Sequence, residues 1–151
     1  MRLSIQHVAQ VAIFQLAVNL FATALAEEPA LVRSKQSGLW SATSTWELDR
    51  VPQRGDRVVI LPGHRVVYDV DSRDVIRLVQ IAGTLEFAHN KTTRLSAGLI
   101  TITSAEEPSE EGFDCHAVPV PVAAGQPRPQ LLIGEPGSPI PSDVTATISL
   151  H

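Results

Sequence analysis

Cysteine is nearly absent. The single Cys115 excludes any intrachain disulfide, so stability is expected to come from packing or from continuation of the chain. Aromatic side chains are few as well: two tryptophans, one tyrosine and four phenylalanines. The core must therefore be built from aliphatic residues around a handful of large rings. Basic charge is also scarce, with 12 Lys and Arg against 16 Asp and Glu. That balance excludes a general nucleic-acid binder, which needs a basic stripe. Hydrophobic runs are short and interrupted. After the first 26 residues no periodic helical pattern emerges, and no nucleophile elbow, phosphate loop, zinc-protease helix or dinucleotide fingerprint is present.

The chain does open with one apolar segment. MRLSIQHVAQVAIFQLAVNLFATALAEEPA has basic Arg2, an apolar stretch from Val8 to Ala26 and the small-residue site Ala24-Leu25-Ala26, the pattern of a secretory signal peptide cleaved after Ala26. Gln10, Gln15 and Asn19 interrupt the stretch; the alternative is a membrane anchor formed by an uncleaved leader. Without residues 1–26 the chain keeps 11 basic and 16 acidic residues. Its length suits a single domain, with residues 27–37 expected as an N-terminal linker and residues 38–151 as the folded unit.

Short runs of Val, Ile, Leu and Thr, bounded by Gly, Pro, Asp or Asn, predict an all-β fold. The expected strands are Arg57–Leu61, Arg65–Val70, Val75–Ile81, Thr84–Ala88, Leu99–Thr103, Gln130–Ile133 and Val144–Leu150. In the last of these Val144, Ala146, Ile148 and Leu150 share one face and Thr145, Thr147 and Ser149 the other, so one face is expected inside. RVVIL and VIRLVQI carry adjacent apolar residues, which predicts burial on both faces. Gly63 in LPGH and Gly83 in IAGT are twenty positions apart, each between two apolar strands. That spacing matches successive coils of a right-handed parallel β-helix, or β-solenoid, with a compact β-sandwich as the alternative. Residues 104–128 break the pattern with Glu106, Glu107, Glu110, Glu111 and Asp114, then Pro119, Pro121 and Pro127. They are expected to form a long surface loop.

Four segments together resemble the eight-glycine (G-eight) domain, an extracellular module of fibrocystin and of the cell-migration-inducing hyaluronan-binding protein, also found in secreted bacterial proteins. They are GLWSATSTWELDRVPQRGDRVVILPG, HRVVYDV, LVQIAGTLEF and LLIGEPGSPIPSDVTATISLH. The most specific series is Trp40-Ser41, Trp46, Val51-Pro52, Gly55-Asp56, Val59-Ile60, Pro62-Gly63, Val67 and Asp69. The chain departs from the family at Leu48-Asp49-Arg50, where glycines often precede the Val-Pro. Gly38, Gly55, Gly63, Gly83, Gly98, Gly134 and Gly137 fit the family's turn glycines, which serve backbone geometry rather than chemistry. The resemblance implies an extracellular setting and glycan or protein binding, with hyaluronan breakdown in some larger members; it implies no agreed catalytic residues.

Three functional readings follow. The first is a secreted, non-enzymatic module binding a polysaccharide or surface protein. In the second, the chain is the N-terminal portion of a carbohydrate-active, hyaluronan-degrading-like β-helix enzyme. The third is a structural or assembly component of the cell surface, self-associating through the C-terminal edge strand.

Candidate ligand-binding residues are Trp40 and Trp46, whose rings either stack on sugars or cap the first coil, and Asp69 and Asp71. The two acids are expected on one strand face about 6.5 Å apart, within the roughly 6.5–9.5 Å separation of inverting glycosidases. They could also be a solvated strand end or, less well matched by spacing, a calcium site. No cofactor is required, but His64, His89, Cys115 and His116 are candidate ligands for zinc or copper. The alternative for Cys115 is a free or intermolecularly paired thiol. Asn90-Lys91-Thr92 is a glycosylation sequon in an expected turn. Arg54-Gly55-Asp56 matches an integrin tripeptide. Such a ligand needs its Asp at the tip of an exposed loop, whereas Val58-Val59-Ile60 follows almost at once, so integrin binding is not expected and the tripeptide reads as a turn.

Overall fold

The computed structural model describes residues 29–104, 108, 125, 127–135 and 137–151. The expected leader, Cys115, His116 and most of the expected loop lie outside the described residues. Among the described residues no helix is long and apolar enough to cross a membrane.

The fold is all-β. Among the described residues there are nine strands, β1 (Leu31–Arg33), β2 (Gly38–Leu39), β3 (Arg57–Ile60), β4 (Arg65–Tyr68), β5 (Asp71–Ile81), β6 (Thr84–Phe87), β7 (Thr93–Ile102), β8 (Gln130–Leu132) and β9 (Ala146–Leu150). They form a five-stranded sheet, β1-β3-β5-β7-β9, and a four-stranded sheet, β2-β4-β6-β8. Successive strands therefore alternate between sheets, and every ladder between strands is parallel. Hairpin pairing, on which an antiparallel sandwich would rest, does not occur among the described strands.

Parallel register lines up like residues. Val32, Val58 and Val79 are partners across β1, β3 and β5, and all three are fully buried. In the other sheet Val66, Leu85 and Leu131 align across β4, β6 and β8 and face the same core. Each such aliphatic side chain contributes about 1.5–3 kcal/mol on burial.

The aromatics among the described residues form one chain of contacts. Trp46, Trp40, Tyr68 and Phe87 follow one another with ring centroids 5.0, 5.0 and 5.3 Å apart, the first two pairs edge to face. Their polar atoms are satisfied: Trp46 Nε1 donates to the Trp40 carbonyl at 2.9 Å and Tyr68 Oη to the Arg94 carbonyl at 2.6 Å. The ring ladder joins the segment before β3 to the four-stranded sheet, and the Tyr68 hydroxyl reaches β7 of the five-stranded sheet.

Strands β5 and β7 extend further than expected because each serves two neighbours along its length. β3 pairs with Leu78–Ile81 of β5, whereas β9 pairs with Thr93–Ala97 of β7. Between these limbs Arg77 N and Leu78 N both approach the Asp56 carbonyl, at 2.9 and 3.5 Å. Gly98 approaches Arg77 on the neighbouring strand, where a Cβ would stand 2.8 Å from the Arg77 carbonyl oxygen. Gly83 is constrained more tightly: a Cβ there would collide with the carbonyl oxygens of Leu61 and His64 on the adjacent corner. Gly55, Gly63, Gly134 and Gly137 take positive φ, while Gly38 and Gly98 lie within strands rather than turns.

Residues 29–37 are not a linker. Leu31–Arg33 is the edge strand of the larger sheet, and Val32 and Ser34 are fully buried. Three apolar or cationic residues are too short a run to announce a strand; the neighbouring β3 supplies its hydrogen bonds. In β9, Ala146 and Ile148 pack on the core as the alternation predicts, but Leu150 is 67 % exposed at the strand end.

Candidate functional site

The outer face of the four-stranded sheet carries Leu39, Val67, Glu86 and Leu132 in one register row. Beyond the C-terminal ends of β4 and β6 the chain continues into Asp69 and into the bend Ala88-His89-Asn90-Lys91. Together Leu39, Val67, Asp69, Glu86, Phe87 and this bend line an open concavity of about 390 Å³. Such a volume is at the small end of ligand sites, and the mixture of apolar floor and convergent polar groups is what such sites use.

Asp69, Glu86 and Lys91 are each oriented by a partner. Asp69 Oδ1 accepts from Ser41 N at 2.9 Å and Oδ2 from Ser41 Oγ at 2.6 Å. Lys91 Nζ donates to the Asp69 carbonyl at 2.9 Å and lies 3.6 Å from Oδ2. Glu86, though nearly buried, is paired with Arg65 Nε at 2.6 Å. The Arg65 hydrogen bond and charge outweigh the opposing effect of burial and hold the Glu86 carboxyl below its ordinary range. His89 Nε2 stands 3.7 Å from Glu86 Oε1, beyond hydrogen-bond length, and is buried without a hydrogen-bond partner.

The residues expected from sequence are distributed differently. Trp40 and Trp46 are 2 % and 0 % exposed; their rings belong to the aromatic ladder and offer no face to a sugar. Asp69 and Asp71 do not share a strand face. Asp69 lies beyond the end of β4, whereas Asp71 opens β5 in the other sheet and pairs with Arg94 at 3.3 Å. The corner at Val70 separates them, so the glycosidase spacing derived from strand rise does not apply.

His64 and His89 are not brought together either. His64 precedes β4 and His89 follows β6, so the length of the paired strands, about 10 Å of rise, lies between them. Two ligands of one ion must approach within a few ångströms of each other. His64 Nδ1 instead contacts the buried Ser34 Oγ at 2.8 Å, and that oxygen also accepts from Leu61 N. The described residues contain no group of three or more His, Cys, Asp or Glu arranged for a metal ion.

Asp56, the acid of the integrin tripeptide, is 1 % exposed. It accepts hydrogen bonds from Ala30 N, Gln53 N and both terminal nitrogens of Arg50, at 2.6–3.1 Å. Burial pushes its carboxyl up, but the Arg50, Ala30 and Gln53 donors together bring it below the usual value. The carboxylate closes the turn before β3.

Sequence reasoning missed Leu39, Glu86 and Lys91. A signal existed for Glu86: it is the lone charge inside the apolar TLEF strand, 21 residues after Arg65, about one repeat of the Gly63 to Gly83 spacing.

No curated protein and no solved structure matches this chain. A family model, the G8 domain, matches residues 45–151. That span covers Trp46, the Val51-Pro52 and Gly55-Asp56 pairs, both sheets from β3 onward and most of the concavity, and by it the chain belongs to the G8 domain family.

Proposed function

We propose that this G8 domain is a non-enzymatic extracellular binding module that takes a segment of polysaccharide, or a surface protein, in the concavity on the outer face of the four-stranded sheet. The observation that carries this reading is the juxtaposition of exposed Leu39 and half-buried Val67 with Asp69, Glu86, His89 and Lys91 around one opening. Sugars present apolar C–H faces and hydroxyls, and both kinds of surface have counterparts here. Catalysis is less well supported at this site. A general acid must hold a proton near neutral pH, whereas Glu86 is kept ionised by Arg65.

Within this reading residues 1–26 are an export leader, cleaved after Ala26, and the two parallel sheets are faces of a β-solenoid. Alternation of successive strands between sheets supports coils, and the near-universal hand of parallel crossovers supports right-handed winding. A stacked solenoid would hold the row Leu39, Val67, Glu86 and Leu132 rigidly.

The test is retention of the purified chain on immobilised polysaccharides and surface proteins, with and without calcium, alongside Lys91→Ala and Glu86→Gln. Retention weakened about tenfold or more by both substitutions is expected, the loss of a charged contact being worth about 1.5–3 kcal/mol. No retention on any surface, or retention indifferent to both substitutions, overturns the proposal.

A further inference from the structure

Asn90 lies on the rim of the concavity and is exposed, as are Lys91 and Thr92. The three residues form the pattern Asn-x-Thr with no proline, the acceptor sequence for N-linked glycosylation. They occupy the connection between β6, which ends at Phe87, and β7, which begins at Thr93. The bend is fastened to the concavity by Lys91 Nζ, which reaches the Asp69 carbonyl at 2.9 Å, and to the residue preceding β9 by Thr92 Oγ1, which accepts from Thr145 N at 3.3 Å. A sugar on Asn90 therefore begins at the opening. Beside it is Leu39, an apolar side chain 48 % exposed, and next to that Val67. This is the kind of surface an N-acetylhexosamine covers with its C–H face and acetamido methyl.

We infer that Asn90 is a glycan acceptor and that the attached glycan roofs the concavity, so that modification regulates access to it. In the modification Asn90 Nδ2 bonds to the anomeric carbon of a lipid-pyrophosphate-linked oligosaccharide. The bond from that carbon to the phosphate oxygen breaks, the lipid pyrophosphate leaves with the electron pair, and an Nδ2 proton passes to a base of the transferase. The regulatory part rests on the concavity being the binding site proposed above; the modification and the covering do not.

The test compares three preparations of the full chain: wild type secreted by eukaryotic cells, wild type made in bacteria without an oligosaccharyl transferase, and Thr92→Ala from the same eukaryotic cells. Thr92 does not line the concavity, and the bacterial wild type serves as the unmodified reference should the variant fold poorly. Peptide mass is expected to show a hexosamine-containing adduct on Asn90 only in the first preparation. Acylation of Lys91 by an amine reagent is expected to be at least fivefold slower there, and retention on any ligand held by the unmodified chain at least tenfold weaker. A secreted wild type with bare Asn90, or a modified one whose Lys91 reacts at the unmodified rate or whose ligand retention is unchanged, overturns the inference. If the unmodified chain is retained on nothing, the binding reading falls, while the mass and Lys91 measurements still decide the modification and the covering.

Discussion

At the scale of single residues, Asp56 shows how burial changes the meaning of a motif. Arg54-Gly55-Asp56 is a surface signal when read as letters, yet the acid is 1 % exposed and paired with Arg50, whose side chain is only 14 % exposed. Removing one partner of such a pair leaves the other charge without compensation, at a cost of about 3–5 kcal/mol. Asp56→Ala is therefore expected to lower urea-unfolding stability by that amount. A loss under about 1 kcal/mol, the range of an exposed pair, would contradict the assignment. The Gly-Asp turn was legible in the sequence because an apolar strand follows at once; the four hydrogen bonds to Asp56 were not, since Ala30 is 26 residues away. Likewise the tryptophans were recognisable as a pair, but only the Tyr68 and Phe87 rings on later strands decide that they face inward.

Among the elements, the strands with adjacent apolar residues were readable and their partners were not. RVVI, TLEF and QLL declare themselves by composition, whereas β1 has three residues and β2 two, and each owes its conformation to the strand beside it. Asp71–Asp74 escaped the reading because it is polar and the β5–β7 ladder shifts register between Asp71 and Val75, and Thr93–Gly98 because its buried residues Thr93, Leu95, Ser96 and Ala97 do not alternate in polarity. The concavity was illegible for a related reason: its residues come from Leu39, β4, β6 and the 88–91 bend, and only parallel register makes them neighbours. Glycines at close backbone approaches, Gly83 at a corner and Gly98 within β7, make that register feasible. Gly83→Ala should cost more than about 3 kcal/mol, since the added methyl meets two backbone carbonyls that cannot rotate away. Gly98→Ala, with one such contact, should cost about 1–3 kcal/mol. Thermal unfolding of the two variants checks the ranking; a Gly83→Ala variant as stable as wild type would contradict the close stacking of the corners.

For the whole molecule, acid sensitivity follows from Asp56 and Glu86. Both carboxyls lie below their ordinary values of 3.8 and 4.5 in the folded chain. The unfolded chain then binds more protons in the window beneath those values, and stability falls as pH drops through it. The stabilisation is complete above the ordinary values, so these two groups are expected to leave the unfolding midpoint flat between about pH 7 and 5 and to lower it below about pH 4.5. Glu86→Gln should flatten the upper part of that decline; an unchanged profile would show that Arg65 does not hold Glu86 ionised in solution.

Everything proposed for function depends on ligand entering the concavity beyond β4 and β6. A two-dimensional amide NMR titration with whichever polysaccharide or surface protein retains the chain tests this directly. The largest shifts are expected at Val67, Asp69, Ala88, His89 and Lys91, with the amides of Ala146–Leu150 in β9 unmoved. Shifts concentrated on β9 or on the outer face of the five-stranded sheet, with the concavity silent, would contradict it.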